Sequence, residues 1–344
     1  MRILSRLALL VGFATITLAS SANSDTARGM RIEGSAVKGP LAGSIIAVFS
    51  LDFTKADYKG QLIATSMSND LAEIEPITID NPSPPYLMES YAYPGMTTDL
   101  TSGEFPVLSE MRTLVLENDA SQRIYLTPIT TVTTDIALSN ADSNGDGMVT
   151  SLELERTVED ASRLFTNIFP LTTGDEDDLL EISPLLTWSE DYVESIRYRT
   201  AVETFSAIVA QIADESGVST DSVLDEIGPD ISDKHLDAVI DGISSDVYTA
   251  ATLDLLPDDL SDLHIPGTDI AVIDTYRVML AEADIPEDEL GDFRLPSMFM
   301  INRVADAVTT DSHDDDHHDA DHDRDDDSHD EDDFWFFDDD FGWW

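Results

Sequence analysis

The hydrophobic pattern of the chain changes near residue 127, and this change limits the folds that the sequence can adopt. Up to Tyr125, β-branched and aromatic residues form short runs of strand length, such as SIIAVFSL, QLIATSMS, YLMESYAY and RTLVLE. The segments KGPLAG, NPSPP and YPGM separate these runs, and their proline and glycine residues favour turns. Several strands at this spacing, without helical periodicity between them, predict an antiparallel β-sandwich over residues 30–126.

After residue 127 the apolar residues recur at steps of three and four, which is the spacing of amphipathic helices. The clearest stretches are Val158–Ile168, Val202–Ile212, Leu236–Ile243 and Ile273–Leu280. We therefore predict a mainly α-helical domain over residues 127–310. Together with the strands that precede it, this domain makes the predicted fold class multidomain α+β.

The composition is strongly acidic, with 70 Asp and Glu against 18 Lys and Arg and a formal net charge of -52. Nucleic acid is excluded as a partner, because its binding depends on cationic side chains that neutralise phosphates. Anionic lipid surfaces are disfavoured for the same reason. The expected counterparts are cations, cationic partners or mineral surfaces. A second interpretation stays open, since a high acidic load also keeps exported proteins soluble in salty surroundings.

The first residues predict export from the cytoplasm. In MRILSRLALLVGFATITLASSANS, two arginines precede an apolar run from Leu7 to Ala19, which is too short to span a bilayer. We predict a signal peptide over residues 1–22, with a periplasmic, extracellular or cell-surface location. No later run is comparably apolar, so no transmembrane segment is expected in the mature chain. Export permits disulfides, yet the sequence has no cysteine.

Residues 311–344 differ in composition from the rest of the chain. They hold 16 Asp and one Glu against one Arg, which predicts a disordered polyanion. Histidines at four-residue spacing suggest zinc ligands, while loose binding of calcium, zinc or nickel and a merely solvated tail are alternatives; these histidines are His313, His317, His318 and His322. The end, FWFFDDDFGWW, predicts a docking segment for a protein or surface partner, a membrane interface, an export component or the chain's own body.

The sequence DSNGDGMVTSLE, residues 142–153, matches the twelve-residue calcium loop of an EF-hand. The sixth position is Gly147, where the chain must turn sharply, and the eighth is the apolar Val149. The candidate ligands, at positions one, three, five, seven, nine and twelve, are Asp142, Asn144, Asp146, Met148 through its carbonyl, Thr150 and Glu153. The flanking segments can both be helical, so we predict one structural Ca²⁺ site. The alternative is an acidic surface turn without an ion.

The segments GSAVKGPLAGSIIAVFSLD, PPYLMESYA, TDLTSGEFPVLSEMRTLV and IYLTPITTVTTDIA occur in that order over about residues 31–140. In this order they resemble a family of exported bacterial proteins with an N-terminal transthyretin-like or carboxypeptidase-regulatory-like β-sandwich. In that family a helical region begins near a TPLTT motif. The resemblance implies a surface or periplasmic accessory module without a particular activity. Many members are lipoproteins, and this chain departs from them in lacking the cysteine.

No catalytic residue is predicted, because the sequence contains no GxSxG, HExxH, Walker or GxGxxG motif. Outside the tail, the histidines are His235 and His264, which stand alone in the sequence. The leading prediction is an exported, non-enzymatic calcium-binding protein of the cell surface or periplasm, with a structural or adhesive, matrix-associated role. The alternatives are a metal-buffering or metal-delivery protein that uses the tail, and a polysaccharide-active hydrolase that uses paired carboxylates.

Overall fold

The computed structural model describes residues 29–170, 179–257 and 262–287. The predicted signal peptide, the predicted tail and the last part of the predicted helical domain lie outside these residues. Among the described residues the strands come first: β1 (Met30–Ala36), β2 (Leu41–Ala42), β3 (Ile45–Leu51), β4 (Lys59–Met67), β5 (Ile77–Ile79), β6 (Tyr86–Tyr91), β7 (Thr98–Asp99), β8 (Glu110–Val115) and β9 (Ser121–Leu126).

Two sheets carry most of these strands. One is antiparallel with the order β4-β3-β6-β8, and the other has the order β5-β1-β9. Alternate side chains of both sheets pack into one apolar cluster, which includes Ile32, Val48, Met88 and Leu126. The prediction of a wholly antiparallel arrangement was wrong in one respect, because β1 and β9 run parallel. Strands that lie about a hundred residues apart in sequence can pair in parallel, since the intervening chain supplies the long crossover.

Helices follow the strands, as predicted. They are α1 (Pro128–Ser139), α2 (Ser151–Ile168), α3 (Tyr192–Ser216), α4 (Thr220–Ile231), α5 (Ala250–Leu253) and α6 (Thr275–Glu282). The helix predicted around Leu236–Ile243 was wrong. That segment forms a hairpin of β10 (Val239–Ile240) and β11 (Ile243–Ser244). Its turn residues, Asp241 and Gly242, have φ angles of 50° and 76°, the left-handed values that two-residue hairpin turns require.

The first helix begins directly on the edge of the larger sheet. Thr127 caps α1 by accepting a hydrogen bond from the N–H of Thr130. The Thr130 hydroxyl donates to the carbonyl of Arg112 at 2.9 Å, and the Arg112 N–H donates to the Thr131 hydroxyl at 2.9 Å. These two bonds satisfy main-chain groups on the outer edge of β8. The sheet edge is therefore covered by a helix N-terminus through side-chain hydroxyls.

Four fully buried charged side chains connect the strands with the helices. The Lys38 Nζ lies 2.8 Å from an Asp99 oxygen, and the Arg199 Nε lies 2.8 Å from a Glu203 oxygen. The second Glu203 oxygen is 3.9 Å from Lys38, which links the two pairs. We call these four residues the buried ion cluster. A Cβ at Gly39 would lie 1.8 Å from the Asp99 carboxylate, so the close approach of this turn requires glycine.

The buried ion cluster gives a stability prediction. We expect Lys38→Met to lower the free energy of unfolding by about 3–5 kcal/mol, because Asp99 would be left buried without its cation. Lys55 provides the matched control, since its pair with Asp52 spans 3.8 Å and its side chain is half exposed. Lys55→Met should cost less than about 1 kcal/mol. Urea unfolding measures both values, and equal costs for the two variants would contradict the structural role of the cluster.

Candidate metal centre

The predicted calcium loop lies between two helices. α1 ends at Ser139 and α2 begins at Ser151, so the loop residues from Asp142 connect the C-terminus of one helix with the N-terminus of the next. Most loop side chains are exposed, and the Met148 side chain is among the most exposed apolar groups of the described chain. Val149 instead packs against the helical core. The loop is thus held to the body at its eighth position, as the sequence predicts.

Three side chains shape the first half of the loop. The two Asp142 carboxylate oxygens accept hydrogen bonds from the N–H groups of Asp146 at 3.1 Å and Gly147 at 3.0 Å. The Asn144 side-chain oxygen accepts from the Asp146 N–H at 2.8 Å. The Asp146 carboxylate accepts from the Met148 N–H at 2.8 Å. The chain therefore bends around its own oxygen atoms, in turns that Asp and Asn favour.

The second half of the loop is fixed by the start of α2. Thr150 is the N-cap, and its hydroxyl accepts a hydrogen bond from the Glu153 N–H at 3.2 Å. In return the Glu153 carboxylate accepts from the Thr150 N–H at 2.8 Å, which completes a capping box. The other Glu153 oxygen accepts from the Asn144 side-chain amide at 2.5 Å. These contacts bring the third, ninth and twelfth positions of the loop together.

The predicted ligands are gathered only in part. Glu153 contacts Asn144 and Thr150, whereas Asp142 and Asp146 are joined through main-chain N–H groups. Over the described ranges of the chain, no three His, Cys, Asp or Glu side chains converge closely enough to hold a metal ion. The arrangement shown is a hydrogen-bonded loop, in which the carboxylates bind N–H groups.

The donor set nevertheless fits a hard divalent cation. All side-chain donors are carboxylate, amide or hydroxyl oxygens, which suit Ca²⁺ and suit soft transition metals poorly. A carboxylate oxygen that accepts one N–H bond keeps a further lone pair for a cation. Gly145 and Gly147 have φ angles of 71° and 81°, so the backbone already has the left-handed turns that a tight oxygen-lined loop needs.

A second group of carboxylates surrounds Arg112 on β8. The Arg112 guanidinium lies 3.2 Å from Asp135 of α1 and 2.8 Å from Asp225 of α4. Burial raises the pKa of Asp135 to about 7, although Arg112 opposes the shift. No local sequence pattern predicts this group, because its members come from three separate elements. One guanidinium between two carboxylates joins β8, α1 and α4, which is a packing role.

The described residues include two histidines, His235 and His264. His235 is exposed beside Asp233, at 3.5 Å from its carboxylate. His264 lines an open cavity of about 810 Å³, together with Thr101, Asp269, Arg277 and Glu282. Among these lining residues, the Thr101 hydroxyl donates a hydrogen bond to a Glu282 oxygen at 3.0 Å, and an Arg199 guanidinium nitrogen lies 3.4 Å from the same oxygen.

Comparison of the chain with protein-family models, with curated proteins and with solved structures found no match. Within the described residues, no helix has both the length and the apolar character needed to cross a membrane. The site is therefore interpreted from its own chemistry.

The Asp135 pKa gives a prediction about pH. A carboxyl whose pKa is raised in the folded state favours folding while it is protonated, so stability should fall as pH rises through about 7. Burial raises the pKa of Asp225, Asp230 and Glu203 in the same direction. We expect the free energy of unfolding to be higher at pH 6 than at pH 8, with a limiting slope of about 1.4 kcal/mol per pH unit for one proton.

Urea unfolding across this interval checks the pH prediction, and Asp135→Asn is the diagnostic variant. The amide has the same shape but no proton to bind, so the slope between pH 6 and pH 8 should become shallower. Ser139→Ala, on an exposed position of the same helix, is the control, since it removes no titratable group and should leave the slope unchanged. A wild-type stability that is constant or increases over this interval would contradict a raised Asp135 pKa.

Proposed function

We propose that this protein is an exported, non-enzymatic calcium-binding protein of the cell surface or periplasm, in which one Ca²⁺ stabilises the fold. The observation that carries the proposal is the loop at Asp142–Glu153. Its Asp and Asn side chains are turned into the loop, and Glu153 is drawn back from α2 to contact Asn144. We further propose that α1, the loop and α2 form an EF-hand, and that the two sheets form a β-sandwich around their shared core.

The position of the loop supports a structural role for the ion. Residues that flank it on both sides are buried in the helical core, including Leu138 and Ala141 before the loop and Leu154 and Val158 after it. An ion bound between these ends would hold α1 and α2 in place. In a chain without cysteine, such an ion supplies a cross-link that a disulfide provides in other exported proteins.

The electrostatics of the chain also favour a bound cation. A formal charge of -52 opposes the compact state through self-repulsion, and each bound Ca²⁺ removes two units of it. The loop holds three carboxylates, Asp142, Asp146 and Glu153, and no basic residue. A structural or adhesive, matrix-associated role fits an extracellular site whose affinity is about 10⁻⁴–10⁻³ M. The metal-buffering alternative depends on the tail, which lies outside the described residues.

Thermal unfolding of the mature protein in calcium and in chelator tests the proposal. With a dissociation constant of about 10⁻⁴–10⁻³ M, 10 mM Ca²⁺ adds about 1.4–2.7 kcal/mol to the stability. For a chain of this size we expect a rise in Tm of about 3–8 °C. Glu153→Gln should abolish most of the rise, because it removes the carboxylate that closes the loop, while glutamine can still complete the capping box with Thr150.

Two controls separate this site from general screening of the acidic surface. In the first control, sodium chloride at matched ionic strength replaces calcium in the chelator sample. In the second, Glu159→Gln makes the same glutamate-to-glutamine change at an exposed position of α2 outside the loop. Glu159→Gln should keep the calcium-dependent rise. Equal rises for the wild-type protein and Glu153→Gln would sink the proposal, since the effect would then come from carboxylates elsewhere.

A further inference from the structure

A groove runs beside the edge strand β9. It has a volume of about 400 Å³ and is bounded by β9, the end of β8, one face of α2 and residues 180–181. Its apolar side chains are Leu114, Leu116, Ile124 and Leu180, and its carboxylates are Glu117, Asp119, Glu155, Glu159 and Glu181. The groove therefore combines a short apolar surface with acidic side chains.

The main chain of β9 has an unpaired edge on this side. The Arg31 N–H donates to the Ala120 carbonyl at 3.1 Å, and the Val37 N–H donates to the Leu126 carbonyl at 2.8 Å. In a parallel ladder the even-numbered residues of β9 thus face β1, and Ser121 and Arg123 turn their N–H and C=O groups away from it. Nothing in the described part of the chain pairs with β9 on that side.

The charge of the groove selects a basic occupant. Five carboxylates line it against one cation, Arg123. That guanidinium donates to the Trp188 carbonyl at 3.3 Å and lies 5.9 Å from the Trp188 ring. Glu155 and Glu159 are four residues apart on α2, so their carboxylates project from the same face. Lysine or arginine side chains of an added strand would reach these carboxylates.

We propose that this groove binds an extended basic peptide segment of a partner protein, which adds as a strand to the free edge of β9. Main-chain hydrogen bonds to Ser121 and Arg123 would provide affinity, as in other cases of strand addition. Alternate side chains of the segment would contact the apolar surface or the carboxylates. This inference concerns a protein partner and does not depend on calcium binding.

Photo-crosslinking of the full mature chain tests the location. The probe is a short synthetic peptide that alternates lysine with threonine and carries a central photoreactive residue. Its control has the same sequence with alternate amides N-methylated, so it keeps the charge and cannot pair with a strand edge. We expect the first peptide to crosslink to residues 114–124 and 155–159, as read by mass spectrometry, and the methylated peptide to lose these crosslinks.

The acidic C-terminal residues provide an internal comparison in this experiment. If charge attraction alone caused binding, both peptides would crosslink equally to residues 311–344. Crosslinks confined to that segment, or equal groove crosslinks for the two peptides, would overturn the proposal.

Two matched pairs of variants distinguish main-chain pairing at the edge of β9 from attraction by the carboxylates. Arg123→Pro removes an N–H that faces away from β1 and breaks no bond to that strand, whereas Arg123→Ala removes the side chain alone. We expect about tenfold less groove crosslinking for the proline variant and no decrease for the alanine variant. Glu155→Gln/Glu159→Gln should lower the yield about five- to tenfold, while Asp214→Asn/Glu215→Gln on exposed positions of α3 should not.

Circular dichroism melts confirm that each variant is folded. If Arg123→Pro does not fold, the carboxylate pair decides the outcome, because those substitutions are on the exposed face of a helix. An unchanged crosslinking yield for Glu155→Gln/Glu159→Gln would then contradict the proposal.

Discussion

The buried ion cluster is the constraint on which the arrangement of strands and helices depends. A lysine and an arginine removed from water are costly unless each has a carboxylate partner in close contact. Lys38 follows β1, Asp99 belongs to β7, and Arg199 and Glu203 lie on α3. Because these groups satisfy one another only when the segments meet, the cluster ties the segments at β1 and β7 to α3, the longest helix among the described residues. The apolar core alone would impose no such specific pairing.

The cluster pairs its two cations with two carboxylates, so the whole acidic excess of the chain is left outside it. The chain has only 18 Lys and Arg, and two of them are fully buried in the cluster. Arg112 is mostly buried between Asp135 and Asp225. Cations that are used inside the fold cannot neutralise carboxylates outside it. The surface that remains is therefore suited to recognise cations, whether as Ca²⁺ at a loop or as lysine and arginine side chains in a groove.

Local signals in the sequence predicted the structural features that depend on residues close together in the chain. The order of strands followed by helices was confirmed, because turn residues and hydrophobic spacing act over a few positions. The Asp, Asn and Gly spacing of residues 142–153 stays a prediction of a calcium site, although the turns that it implies are present. The hairpin at Val239–Ser244 was missed, yet Asp241-Gly242 between β-branched residues is a recognisable turn signal.

Contacts between distant segments could not be predicted from the sequence. The parallel pairing of β1 with β9, the burial of Lys38 and the group around Arg112 have no local pattern, since a charged residue is usually exposed and pairing is decided by the whole fold.

Helix α1 combines local features with contacts between distant segments. Its first turn covers the edge of β8, its centre carries Asp135 against Arg112, and its end leads into the predicted calcium loop. An ion that fixes this last turn would therefore stabilise the sheet edge as well as the loop, and its effect should extend to the whole fold.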